Sequence, residues 1–278
     1  MTSTDHDDPF DLGLEADLAT INQQRQRRAV LGLLGGGLAA AVGGAVLLRP
    51  GTANAATSVA GRSASSCASD EIPSETAGPY PGDGSNGPDV LAESGVVRRD
   101  IRSSIGGATG KAKGVPLKIR LVLQSTDTCK PLEGMAVYLW HCDRKGRYSM
   151  YSEGVEDENY LRGVQVSNAN GVVRFRSIYP ACYSGRWPHI HFEVYESRHA
   201  ATHGGTPVVT SQIALPRKES MHVYRHAKGY DESVTNLNRV SLGTDNVFGD
   251  DGGVRELGTV TGSLKKGYRV RLVVPVDA

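Results

Sequence analysis

Tyr183-Ser-Gly-Arg-Trp-Pro-His-Ile-His-Phe-Glu-Val-Tyr195 is the stretch from which the fold can be read. Its second half alternates. Ile190, Phe192 and Val194 fall on one face of a strand, and His189, His191 and Glu193 on the other, because successive side chains of an extended chain point to opposite sides. The apolar trio predicts a strand anchored in a core. The polar trio leaves two imidazoles roughly 6–7 Å apart, close enough to converge on one ion. A bare His-x-His equally describes a half-buried strand with two solvated histidines. The rest of the chain has to decide.

Outward from this stretch the same period of 2 recurs. Leu117, Ile119, Leu121 and Leu123 alternate with Lys118, Arg120 and Val122. Met135, Val137 and Leu139 alternate with Ala136, Tyr138 and Trp140, and Tyr268, Val270, Leu272 and Val274 with Arg269, Arg271 and Val273. Val208 to Leu215 is a further strand, and Val172 to Ser177 follows Asn170-Gly171, a strong hairpin signal. No amphipathic helix stands out, and Arg217 to Asp251 reads as a long loop carrying Tyr224, His226, Tyr230 and Phe248. Gly 34 and Pro 13 in 278 residues suit a loop-rich all-β chain. The expectation is all-β: a single β-sandwich domain over residues 76–278.

Charges nearly cancel, 31 Lys+Arg against 30 Asp+Glu, and no run of like charge marks a nucleic-acid groove or an acidic partner. The N-terminus differs in kind. Residues 1–24 are polar and acidic, Arg25-Gln-Arg-Arg28 follows, and Ala29 to Leu48 holds no charge. Ala53-Asn-Ala55 suits signal-peptidase cleavage before Ala56. Arg27-Arg28 ahead of Val30-Leu31 resembles a twin-arginine signal, with Gln26 preceding and the usual Ser/Thr and Phe missing. The expectation is an export segment over 1–55, a flexible Ala/Ser/Thr-rich stretch over 56–75, and a secreted or cell-surface protein. Left uncleaved, the apolar run 29–48 would anchor the chain in a membrane. Cys67, Cys129, Cys142 and Cys182 fit an oxidising compartment and two disulfides of open connectivity, no pair having Cys-x-x-Cys spacing.

Two glycine-flanked tyrosines stand out upstream of the histidine pair. Tyr148 ends Asp143-Arg-Lys-Gly-Arg-Tyr148, just past a strand, and Tyr183 precedes the histidine strand. Such tyrosines commonly pack at a rim with the hydroxyl wet. If both phenols reach the ion held by the imidazoles, phenolate is a hard anionic donor, and a trivalent cation lowers the phenol pKa enough to ionise it. Two phenolates and a hydroxide balance Fe(III), which makes iron the expected metal for a two-Tyr, two-His cage. His141, His222 and His226 read as hydrogen-bonded or wet, with His226 near enough in sequence pattern to line a pocket mouth.

Taken together, Trp140-His-Cys-Asp-x-x-Gly-x-Tyr148, Tyr179-Pro-x-x-Tyr183 and Gly185-Arg-x-x-His-Ile-His191 resemble the intradiol ring-cleaving dioxygenases. Thr76-Ala-Gly-Pro-Tyr80 is similar to the segment that family sets beside its substrate pocket. The resemblance runs from about residue 76 to the C-terminus and is weakest over 217–251. It implies that Tyr148, Tyr183, His189 and His191 are the iron ligands, with Tyr183 and His191 axial. It further implies that a catechol binds through both oxygens, displacing hydroxide and Tyr183, which take up its protons. Attack by O2 on the ring would then give a cis,cis-muconate, the iron staying ferric and no reductant being needed. Arg186 matches the family's active-site arginine, stabilising negative charge on the ring. Gln212 falls about where the family keeps a pocket glutamine, and Pro79 and Tyr80 match pocket walls. The partners implied are a small aromatic diol and O2, with a homodimer allowed. No lid or helical dimerisation domain precedes the core, unlike catechol-type enzymes, so the preferred ring stays open. A non-catalytic β-sandwich binding module for aromatic polymer or carbohydrate is the alternative. A copper or zinc enzyme using the His pair alone is another, and it leaves the tyrosines without a role.

Overall fold

A computed structural model describes residues 70–278. Eight strands form two four-stranded sheets. The strands are β1 (Pro116–Ser125), β2 (Ala136–Trp140), β3 (Arg162–Val166), β4 (Val172–Ile178), β5 (His189–Tyr195), β6 (Val209–Ala214), β7 (Thr259–Ser263) and β8 (Gly267–Val276). One sheet runs β4-β1-β8-β7, with β1 and β8 parallel; the other runs β3-β2-β5-β6, all antiparallel. The predicted strands form where their alternation places them. β3 and β7, which the sequence pattern did not mark, complete the sheets.

Between the sheets Leu117, Ile119, Leu121, Leu123, Phe175 and Val270 from the first meet Val137, Leu139, Ile190, Phe192, Val194 and Ile213 from the second, all buried. Each such side chain contributes about 1.5–3 kcal/mol by leaving water, which is what clamps β5 through its Ile190/Phe192/Val194 face.

Three expectations change. Asn170-Gly171 does form a tight turn, with Gly171 at φ 66° and the Asn168 side chain accepting from the N–H groups of Asn170 and Val172. It does not make a hairpin, because β3 and β4 lie in different sheets; the turn carries the chain across the sandwich. The supposed loop 217–251 contains helix α2 (Arg217–His226), helix α3 (Ser233–Arg239) and a 3-10 turn (Leu242–Thr244), after a short α1 (Arg198–Thr202). These helices are short and bury only two or three side chains each, such as Val223 and Tyr224 on α2 and Leu237 on α3, too few to make a periodic stripe. Cys142 and Cys182 are free, so two disulfides do not form. Their thiols instead donate to the carbonyls of Ala181 and Arg186. Cys129 is disulfide-bonded. Cys67 and the expected export segment lie outside the described residues. Among the described residues, no helix is long and apolar enough to cross a membrane.

The second sheet is covered on its outer face as well. The chain before β1 runs along both of its edges: the Glu75 N–H donates to the Thr210 carbonyl, and Val97 bridges to Val164. Between these points Pro81 accepts hydrogen bonds from the Tyr138 hydroxyl and the Arg162 guanidinium. Every residue of β2 and β5 is therefore buried. The alternation of β5 is chemical, not a boundary between core and water.

Candidate metal centre

The site is built on that covered polar face. On β5, His189 and His191 point the same way, with Trp140 of β2 and Gln212 of β6 opposite His191. Two loops bring the phenols. After β2, Asp143 accepts from the N–H groups of Lys145 and Arg147 through one oxygen and pairs with the Arg147 guanidinium through the other, at 2.8 Å. Gly146 takes φ 88°, which an L side chain rarely adopts. This turn delivers Tyr148, whose N–H is tied to Ser152 Oγ at 2.9 Å. After β4, the Cys182 N–H is held by Ser233 Oγ of α3, and Gly185 at φ 80° folds the chain back so that Tyr183 faces the strand it precedes.

The four side chains meet at their tips. His189 Nε2 and His191 Nε2 are 3.1 Å apart; Tyr148 Oη lies 3.2 Å from the first and 3.3 Å from the second. Tyr183 Oη is 3.4 Å from His189 Nε2. His189 Nδ1 stands 2.5 Å from the Trp187 carbonyl. A carbonyl only accepts, so Nδ1 carries the proton and Nε2 turns a lone pair inward. The Tyr148 hydroxyl has one proton and faces two imidazole nitrogens. The inward lone pair of His189 Nε2 and the oxygens of the two phenols could together serve as donors to a cation. His191 is fixed differently: its ring stacks on Trp140, centroids 4.9 Å and planes 5° apart, while its Nδ1 has no hydrogen-bond partner among the described residues.

Burial sets the charge state. It pushes the Tyr148 phenol well above its ordinary range, the neighbouring Tyr183 adding to the shift. It also pushes both imidazoles well below theirs, with Arg186 acting in the same direction on both and His189 on His191. Tyr148, His189 and His191 are thus held neutral unless a cation joins them. Among the described residues, no group of three His, Cys, Asp or Glu is placed to bind a metal. A donor set here must include the phenols.

Arg186 is fully buried beside this cluster. Its Nε donates to Asp245 Oδ2 at 3.0 Å and its Nη2 to Gln212 Oε1 at 2.7 Å. Asp245 Oδ2 also takes the Trp187 N–H at 2.6 Å, and Oδ1 the N–H groups of Val247 and Phe248. One carboxylate thereby holds the arginine and, through its N–H, the residue whose carbonyl sets the His189 tautomer. Sequence reasoning missed Asp245, which lies in the stretch read as loop; a buried arginine demands a buried acid, but nothing in sequence says which. Gln212 spends its amide on Arg186 and, through Nε2, on the Thr76 carbonyl at 2.9 Å. Tyr80 lies against Tyr148, ring centroids 4.9 Å apart, and Pro79 sits in the adjoining turn, where its carbonyl accepts from Asn86. Tyr183, half-buried, lines a cavity of about 530 Å³ with Arg144, Arg147, Cys182 and Asn236.

His226 does not line that cavity. With His222 and Arg225 it borders a separate groove at the end of the sandwich, its Nδ1 hydrogen-bonded to the His222 carbonyl. His141 is buried and bonded on both sides, to the Cys142 carbonyl and Ser177 Oγ, and burial lowers its pKa to about 4.

Two phenols and two imidazoles thus converge on one point of a two-sheet sandwich. A family model described as dioxygenase matches residues 101–221. A curated relative, chlorocatechol 1,2-dioxygenase of Rhodococcus opacus, is 31% identical over 83 residues, 27% of this chain and 32% of its own. The match therefore spans about a third of that relative's length. Among solved structures, an intradiol ring-cleavage dioxygenase from Tetranychus urticae superposes with TM-score 0.58 at 25% identity, covering 75% of this chain and 95% of that one. A second dioxygenase structure shares the fold at TM-score 0.58 and 23% identity, covering 75% and 94%. Over these stretches the chain is similar to intradiol ring-cleavage dioxygenases, the family its motifs resemble.

Proposed function

We propose that the protein is a non-haem Fe(III)-dependent intradiol dioxygenase that opens catechol-type rings with O2 to cis,cis-muconate-type products. The observation carrying this reading is the convergence of Tyr148 Oη, Tyr183 Oη, His189 Nε2 and His191 Nε2 within contacts of 3.1–3.4 Å. The donor set fits a ferric ion, since buried phenols are costly to ionise without a highly charged, hard cation. When bound there, iron would supply the Lewis acidity that ionises the phenols and draws electron density from an aromatic diol. Tyr183, the phenol that reaches the cavity, suits the role of base, taking a diol proton at Oη. Tyr148, buried beneath Tyr80, suits the role of permanent ligand. Arg186 offers a fixed positive charge to negative charge developing on the ring. Trp187 keeps the proton on His189 Nδ1, and Tyr80 covers the ring of Tyr148. Export by the twin-arginine route belongs to the same reading, and the disulfide at Cys129 supports an oxidising compartment.

Iron-loaded protein should be reddish from tyrosinate-to-Fe(III) charge transfer, and anaerobic catechol should shift that band before O2 is admitted. Colourless protein carrying stoichiometric zinc or copper, or absent O2 uptake over a panel of catechols, overturns the proposal.

A further inference from the structure

The outer face of the first sheet carries an array of cations that the sequence scatters over 150 residues. Register brings Lys118 of β1 between Arg176 of β4 and Arg269 of β8, and Arg120 of β1 between Arg174 and Arg271. Thr261 and Thr259 of β7 extend the two rows. All six cations are exposed, and none is ion-paired among the described residues. Asp100, bridged to Arg176 at one border, is occupied by Arg102 at 2.6 Å. The near-neutral net charge of +1 hides this face, because the acids lie elsewhere.

Like charges set directly opposite across strands destabilise a sheet. Protection of an edge strand explains lysines and arginines at a sheet border, but β1 and β8 are the two interior strands. Neighbours in a row stand about 4.8 Å apart and the two rows about 6.7 Å apart. Five of the six cations are arginines, whose planar forks pair with carboxylates through two hydrogen bonds. The strand-to-strand spacing is close to one sugar ring of an extended chain.

We infer that this face is a docking surface for an acidic polysaccharide, a linear polymer with a carboxylate on successive sugars. Nucleic acid shares the charge but not the compartment that the Cys129 disulfide fits. A lipid surface would be held better by apolar side chains among the cations, and the two rows contain none. The inference goes beyond ring cleavage and does not depend on it: the array lies on the sheet that carries none of the four donors.

The test is binding of the full chain to polygalacturonate at low salt, with neutral dextran, vesicles containing phosphatidylglycerol, and duplex DNA in parallel. Polygalacturonate should bind tightest, with affinity falling as salt rises. The double variant Lys118→Thr/Arg120→Thr should weaken binding about tenfold, while O2 uptake on catechol matches the unaltered chain. Lys130→Thr/Arg198→Thr, an equal charge change elsewhere, should leave binding unchanged. Absent binding, equal weakening by the control pair, or tighter binding to vesicles or DNA overturns the inference.

Discussion

The two sheets differ most on the faces they turn away from each other. The outer face of β4-β1-β8-β7 alternates in the simplest way, buried apolar against exposed Lys and Arg. The outer face of β3-β2-β5-β6 is just as polar in composition, with Arg162, His189, His191, Glu193 and Gln212, yet every one of these is buried. Water solvates the first set. In the second, each polar group must find a protein partner or a ligand, because an unsatisfied buried polar group costs about 1–3 kcal/mol. Arg162 spends its guanidinium on Pro81, Ser149 and Tyr138; Arg186 on Asp245 and Gln212. The inward nitrogens of the two histidines have only each other and the phenols. A polar strand face that a fold chooses to bury is where chemistry is to be sought.

That contrast can be broken at graded strength. Tyr148→Phe keeps the ring against Tyr80 and removes one donor; iron content and O2 uptake should fall by about 100-fold or more while thermal unfolding is little changed. Full turnover in this variant would remove the phenol from the site. His141, just past β2, tests burial itself. Its folded pKa of about 4 is depressed, so its contribution to stability is present above the unfolded value of about 6.5 and lost as pH falls towards 4. Denaturant titrations should show an unfolding free energy for the unaltered chain that drops by about 2 kcal/mol more between pH 6.5 and 5 than that of His141→Gln. Equal slopes would mean the imidazole charges without penalty. Asp245→Asn removes the charge that holds Arg186 and the Trp187 peptide, and should lower kcat per bound iron about tenfold, with KM for the diol changing less. A change confined to iron content would make Asp245 structural only. On the other sheet, Arg174→Thr should shift stability by less than about 0.5 kcal/mol, read by thermal melting, because that face is already wet.

Much of this was legible in residues alone. The period of 2 in Leu117–Leu123 and Ile190–Val194 follows from strand geometry, so the two-sheet core could be read directly. The spacing of His189, Ile190 and His191 puts two imidazoles on one face in any strand. Helices α2 and α3 were not legible, because they hold their place by a few buried contacts such as Tyr224 to Pro180 and not by a stripe. Asp245 and the cross-sandwich path after Gly171 were hidden for a related reason: each depends on which distant segment arrives next to it.

The sequence by itself determined six of the eight strands and the faces of β5, since these depend on local periodicity, and its motifs singled out the four side chains whose tips the fold brings together. Tertiary structure decided that the histidine face would be buried instead of wet, which acid would answer Arg186, and that cations from three separated strands would stand in two rows. Those outcomes are set by sheet register and by what covers each face, and neither has a local signature in the chain.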